Sequence, residues 1–304
     1  MNTNNPMLSV AFLLLAILMS GVYSVGLKPA NSRCKSLAEL ELFNACFSAT
    51  AMVGALLSAL LTAGSLFIPA SGLLCAAIFG CVFSICVFTN LKALEDGPLS
   101  LTTLIVNFSL VFPLIYSFCF LGEPITVLRV IGIVLLVICM LLFTNPKVTG
   151  EKKISGKWIA LAVTSMLCNG MLSVISKIYA MASENAYASQ YLVYSYFFAT
   201  VTSLVLFAVL RARQKPEERV APKVFFAPVM IVLFVLIGFA NFGLNLMVVL
   251  LATMMDGAIV YPAVQGGGPM IAVLGSRLLF GEQISWKKWA AILLGVTAIV
   301  LLNL

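Results

Sequence analysis

Runs of some twenty apolar residues recur about ten times along this chain, and nothing else in the sequence constrains the fold as much. A helix crossing a hydrocarbon layer ~30 Å thick needs ~20 such residues. The runs fall at 8–27, 42–63, 69–91, 98–120, 126–144, 156–179, 187–210, 224–250, 257–280 and 286–303. The longest polar stretches between them, Lys28–Glu41, Asn145–Lys157 and Arg211–Lys223, leave no room for a soluble domain. Charged residues make up 10% of the 304 positions, where soluble domains carry roughly 25%. The reading is an all-α membrane protein with ten transmembrane helices. Met1–Pro6 carries no charged side chain. The first run therefore lacks the basic region that opens a secretory signal, and is expected to be a retained helix.

The chain repeats itself. Gly21-Val-Tyr-Ser-Val-Gly-Leu-Lys28 near the end of the first span and Gly170-Met-Leu-Ser-Val-Ile-Ser-Lys177 near the end of the sixth both read G-x-x-S-V-x-x-K. Later in each half, Asp96-Gly97 precedes the fourth span and Asp256-Gly257 the ninth. The turn Leu-Gly-Glu-Pro-Ile-Thr at 121–126 then matches Phe-Gly-Glu-Gln-Ile-Ser at 280–285. The same order at near-equal offset implies two five-helix repeats, over 1–146 and 147–304. Five is odd, so the second half enters the membrane the opposite way round. Inverted repeats are a recurring transporter architecture, with the site near the midplane where the halves meet.

These motifs resemble the drug/metabolite transporter superfamily, in particular its ten-helix EamA-like branch. The glycine and lysine of G-x-x-S-V-x-x-K are similar to that family's first-helix signature. The G-E-x-[IL]-[TS] turn is similar to its landmark after the fourth helix of each half. The resemblance covers essentially the whole chain and implies a carrier of small molecules. The family often has Trp before the first-helix glycine, where Ser20 and Asn169 stand here, and often Pro some thirteen residues before the turn glutamate, a place held by Pro269 but also by Leu110.

Ten spans put both termini on one side. Of the eighteen Lys and Arg residues, sixteen fall on the opposite side and only Arg129 and Lys177 on the side of the termini. Basic residues accumulate on the cytoplasmic face. The expectation is therefore an integral protein of the cell (plasma) membrane with its termini outside, although family members usually have cytoplasmic termini. The net charge of +7 sits at helix ends and loops, where it meets lipid headgroups. No nucleic-acid partner follows from it.

Polar residues inside spans are costly and mark candidate sites. The lysines Lys28 and Lys177 each lie near a helix end. They either snorkel to the headgroups or act as a gate or anion contact. The ninth span contains Tyr261-Pro-Ala-Val-Gln-Gly-Gly-Gly-Pro269, where glycines and proline weaken the helical ladder beside Gln265 and Gly266. An interrupted helix points to a binding site; close helix packing through small residues is the other reading. Thr103 and Asn107 share one face of the fourth span, and Asn241 and Asn245 one face of the eighth. Tyr23, Ser24 and Ser173 from the duplicated motif complete the candidate substrate-binding set. Tyr187, Tyr191 and Tyr194 form either an interfacial aromatic belt or the lining of a vestibule. A transport path is expected between spans 1, 3, 4, 6, 8 and 9.

Other chemistry is poorly supplied. All eleven acidic residues read as helix-end or loop positions, and histidine is absent. A buried proton relay or a metal site is therefore not expected, and no cofactor is implied. The eight cysteines show no C-x-x-C pair and read as small packing residues. There is no G-x-x-x-x-G-K-[ST] loop, so ATP binding is not expected. The residues favour a non-enzymatic secondary transporter, an exporter in direction, moving a small neutral or zwitterionic metabolite, amino acid or drug-like solute by alternating access. A non-transporting scaffold or sensor is the alternative, and a lipid-modifying enzyme a weaker one. Membrane lipid is the expected surrounding and a small molecule the expected partner; the oligomeric state stays open.

Overall fold

The computed structural model describes residues 6–34, 36–97, 99–143, 155–183, 186–214, 226–280 and 285–302. Among them there are helices and no strands. The helices are α1 (Pro6–Arg33), α2 (Leu37–Ala63), α3 (Ala70–Asp96), α4a (Leu99–Asn107), α4b (Val111–Phe120), α5 (Val127–Phe143), α6 (Gly156–Ser183), α7 (Ala188–Arg213), α8 (Pro228–Leu251), α9 (Gly257–Phe280) and α10 (Trp286–Leu302). A 3-10 turn, Phe108–Leu110, joins α4a to α4b, so the two form one span. Seven helices are long and apolar enough to cross a bilayer outright. The 17-residue α5 and α10 sit at the short end of the spanning range, ~17–25 residues.

Local sequence explains several boundaries. Ser36 caps α2: its Oγ accepts from the Glu39 N–H and donates to Glu39 Oε1. Pro228 opens α8, where its missing N–H costs nothing. Gly122 holds φ +64° in the turn before α5, a conformation that favours glycine.

The halves interlock by exchange. α1 packs on α8 and α9, and correspondingly α6 packs on α3 and on α4a and α4b. α3 meets α7 as α8 meets α2, while α2–α7 and α5–α10 are self-matching pairs. These are the contacts of two repeats related by a pseudo-two-fold axis. With five spans in each, the second repeat is inverted relative to the first.

Small residues let the helices approach. Ala51, Ala55 and Ala59, four apart on α2, are fully buried in the cluster shared with α7. A side chain at Gly80 of α3 would collide with backbone atoms of Ser195 and Ala199 on α7. Close backbone approach through small residues is how membrane helices associate. Large apolar side chains such as Leu61, Val127 and Leu278 point outward instead, where lipid tails lie.

One of two open readings of the ninth span holds, and one expectation changes. α9 is continuous through Pro262 and Pro269, and its glycines serve packing: Gly266 meets Leu136, Gly267 meets Ile17 and Gly268 meets Ser20. The irregular backbone lies in its counterpart, at Phe108–Leu110. Pro113 explains this, because it cannot supply the N–H that would meet the Ser109 carbonyl. Further, α2 begins at Leu37, so Glu41 is a helical residue. It is 1% exposed, not a loop or helix-end side chain in solvent. The cysteines are free among the described residues. Burial, with Glu39 nearby, pushes the Cys34 thiol up to about 12, so it stays unreactive at neutral pH.

Candidate functional site

A cavity of about 360 Å³ lies where the halves meet. Its walls come from α1, α3, α4a, α6, α8 and α9. Of the residues singled out from sequence, Tyr23, Ser24, Asn107, Ser173, Asn241, Asn245, Tyr261 and Gln265 line it. Gly266 turns away toward Leu136 of α5. The side chains of Thr103 and Lys28, and the whole of Glu282, lie outside the described residues.

The duplicated motif now has a mechanical meaning. Gly21 lets α1 approach Ile271 of α9, and Gly170 lets α6 approach Phe112 of α4b. Three residues on, Ser24 and Ser173 face the cavity from opposite walls. The glycine sets the helix spacing and the serine supplies a polar lining.

Hydrogen bonds hold the lining in place. Tyr196, fully buried on α7, donates to Asn241 Oδ1 at 2.8 Å and accepts from Asn245 Nδ2 at 3.0 Å. Asn245 Nδ2 also reaches the Asn241 carbonyl at 2.9 Å. On the facing wall Asn169 Nδ2 donates to Ser109 Oγ at 2.7 Å, and Ser109 Oγ donates to Gln265 Oε1 at 3.4 Å. Tyr261 Oη donates to the Ser173 carbonyl at 3.0 Å, tying α9 to α6. Tyr196 and Asn169 were not singled out from sequence as site residues. Asn169 carried a signal, an amide inside an apolar span; Tyr196 looked like one aromatic among many. The described lining contains amides, hydroxyls and apolar groups, and no charged side chain. Such a site offers directional donors and acceptors without a fixed charge.

A largely buried charge cluster lies beyond Ser176 and Tyr261 of the lining, at the end of the spans that carries the termini. Glu123, from the Gly-Glu turn of the first half, accepts from the N–H groups of Gly257 and Ala258 at 2.8 and 2.9 Å. It thereby caps α9, where a carboxylate meets unpaired amides and the positive end of the helix. Lys177 lies 3.4 Å from the same carboxylate and donates to the Ala252 carbonyl, at the end of α8, at 2.8 Å. A cation at a helix C-terminus is the complementary arrangement. The Lys177 and Glu123 side chains are 3% and 8% exposed, so the lysine does not snorkel to headgroups. Arg129 completes the cluster with a 2.6 Å bond to Asp256.

The tyrosines of α7 divide. Tyr191 is fully buried and stacks on Tyr179 at 3.9 Å, so it belongs to no interfacial belt. Tyr194 Oη donates to the Leu66 carbonyl. Tyr187 lines a second cavity of about 260 Å³ with Tyr179 and Cys75.

Ten spans in two inverted repeats around a polar cavity define a polytopic membrane protein of the inverted-repeat transporter class. The EamA-like transporter family matches the chain twice, over 7–145 and 156–304, and the chain belongs to that family. No curated protein matches it. A crystal structure described only as "Crystal structure of protein" shares the fold, with a TM-score of 0.72 over 96% of both chains at 15% identity.

Proposed function

We propose that this protein is a secondary transporter that carries a small neutral or zwitterionic solute, such as a metabolite, amino acid or drug-like compound, by alternating access. The observation that carries this reading is the uncharged, hydrogen-bonding cavity between the halves. Tyr23, Ser24, Asn107, Ser173, Asn241, Asn245, Tyr261 and Gln265 are the proposed substrate contacts. The Lys177–Glu123 pair is the proposed gate at its end of the cavity, and 1–146 and 147–304 are the proposed moving units.

Rocking of these units would exchange this gate for its counterpart, where Lys28 and Glu282 stand in matching sequence positions. The uneven distribution of basic residues supports termini outside the cytoplasm, and we read the protein as an exporter of the plasma membrane. The lining supports no bond-making chemistry, and we read the protein as non-enzymatic.

Purified protein reconstituted in vesicles and offered a panel of neutral and zwitterionic metabolites tests the reading. Saturable flux that falls on Asn245→Ala supports it; no flux of any solute through demonstrably folded protein defeats it. A reporter fused to the C-terminus tests orientation separately, with an extracellular signal expected.

A further inference from the structure

Away from the cavity, α2 buries a carboxyl group in an apolar interface. Glu41 is 1% exposed, and among the described residues neither of its oxygens has a hydrogen-bond partner. One turn on, Asn44 is also 1% exposed and its Oδ1 is an acceptor with no donor. Residues three apart share a helix face, and Asn44 and Ser203 are the polar groups that face the carboxyl. The bonds leaving Asn44 lead away from it: Asn44 Nδ2 donates to Ser203 Oγ at 2.9 Å, Ser203 Oγ to Ser84 Oγ at 2.9 Å, and Ser84 Oγ to the Ala199 carbonyl at 2.8 Å.

Two buried acceptors on one helix face, neither within hydrogen-bond distance of a donor, are unfavourable, and an ionised carboxylate there is far more so. A single proton resolves both. A neutral carboxyl group has one O–H to donate, and the amide oxygen one turn on lacks one. We propose that Glu41 is a proton-binding site, loaded in this conformation, with its O–H donated to Asn44 Oδ1.

No cation stands in for the proton among the described residues. α8, packed on the same stretch of α2, has no charged residue. On α7, Arg211 lies two turns beyond Ser203 over Phe207, and Arg213 is further out. On α3, Lys92 pairs with Glu95 and Asp96, and the Cys86 thiol contacts Ser165. On α2 itself, Glu39 bonds Ser36.

Proton release leaves a bare charge between α2 and α7, so it requires water to reach that helix pair. Loading is thereby tied to the arrangement of α2 against α7. α7 also carries Tyr196, seven residues from Ser203 on the same face, which holds Asn241 and Asn245 at the cavity wall. Coupling of this proton to solute movement rests on the carrier reading; the site itself does not.

Infrared difference spectra of the full-length protein in lipid vesicles, titrated with pH, test the site without any solute. At neutral pH, well above ~4.3, the ordinary Glu value, the wild-type protein is expected to show a protonated-carboxyl C=O band. Glu41→Gln should abolish that band, and Asn44→Ala should move it to higher frequency as its acceptor is lost. If Glu41→Gln instead removes carboxylate stretches at neutral pH, the proposal is overturned. Should that variant fail to fold, Asn44→Ala decides alone: a C=O band of unchanged frequency, or none, overturns the assignment.

Discussion

The two ends of the molecule start from the same duplicated landmarks and use them differently. At the N-terminus of α9, Asp256-Gly257 is met by buried partners from across the molecule: Glu123 caps the helix, Lys177 joins it and Arg129 holds Asp256. At the N-terminus of α4a, Asp96-Gly97 is met by partners nearer the surface. Lys92 and Lys157 pair with Asp96, and Lys157 is 70% exposed. There a tryptophan is the buried element: Trp158 covers Gly97 and its Nε1 donates to Thr102 Oγ1 at 2.8 Å. Internal duplication therefore preserves where a helix begins without preserving what closes over it. One end carries desolvated charge, the other a buried tryptophan under a solvated ion pair.

The largest expected effect follows from breaking the desolvated end. Lys177→Met leaves Glu123 and the α8 carbonyls without their cation. Removing one partner of a buried pair costs ~3–5 kcal/mol, a fall in Tm on the order of 10 °C for a chain of this size. Thermal unfolding in detergent measures it. Glu123→Gln in the same background is expected to cost less than it does alone, because the two groups share one interaction. Strict additivity of the two losses would show that the two groups do not act as a pair.

Where the copies do the same job, matched substitutions should behave alike. Gly21→Val drives a side chain into Ile271, and Gly170→Val drives one into Phe112. Overpacking of this kind costs ~1–3 kcal/mol. Similar losses of thermal stability are expected for the two variants. A strong effect in one half alone would mean that the glycine, like the charged landmarks, has diverged in role.

Sequence carried the repeat and its inversion, because spacing of apolar runs and motif order survive without any knowledge of contacts. It also carried much of the cavity lining, because an amide or hydroxyl in an apolar span is visible as a costly exception. What sequence could not show was partnership. Lys177 reads the same whether it snorkels or pairs with a glutamate 54 positions earlier in the chain. Tyr196 gains its meaning only from Asn241 and Asn245 on another helix. Glu41 read as a loop residue because a polar stretch precedes it, whereas the Ser36 cap starts the helix early and carries Glu41 into the interior. In α9 the glycines and prolines left a break and close packing both open, and the packing of Leu136, Ile17 and Ser20 against them in a whole helix selects the second.

A smaller effect is expected where a hydrogen-bonded wall, not a charge, is loosened. Tyr196→Phe removes the hydroxyl that bridges Asn241 and Asn245. Each lost bond contributes ~1 kcal/mol, and both amides stay partly paired with each other through Asn245 Nδ2. A loss of ~1–2 kcal/mol in thermal unfolding is expected, smaller than that of Lys177→Met. An equal or larger loss would rank the cavity wall above the charge cluster in holding the halves together.

The smallest effect belongs to the solvated end. Asp96→Asn removes the carboxylate shared by Lys92 and Lys157, yet Lys92 keeps Glu95 at 2.8 Å and Lys157 already stands in water. Ion pairs this open contribute ~0–1 kcal/mol and weaken with salt. Asp96→Asn should therefore leave Tm within a few degrees of the parent, and the small difference should shrink at high ionic strength. Trp158→Phe at the same end separates the two devices, since it removes the indole N–H from Thr102 while leaving the ion pair intact. If the contrast between the ends is right, Trp158→Phe destabilises more than Asp96→Asn, and salt does not change its cost. The reverse order would mean that charge dominates at both ends and that the ion pair at Asp96 is less solvated than its surroundings indicate.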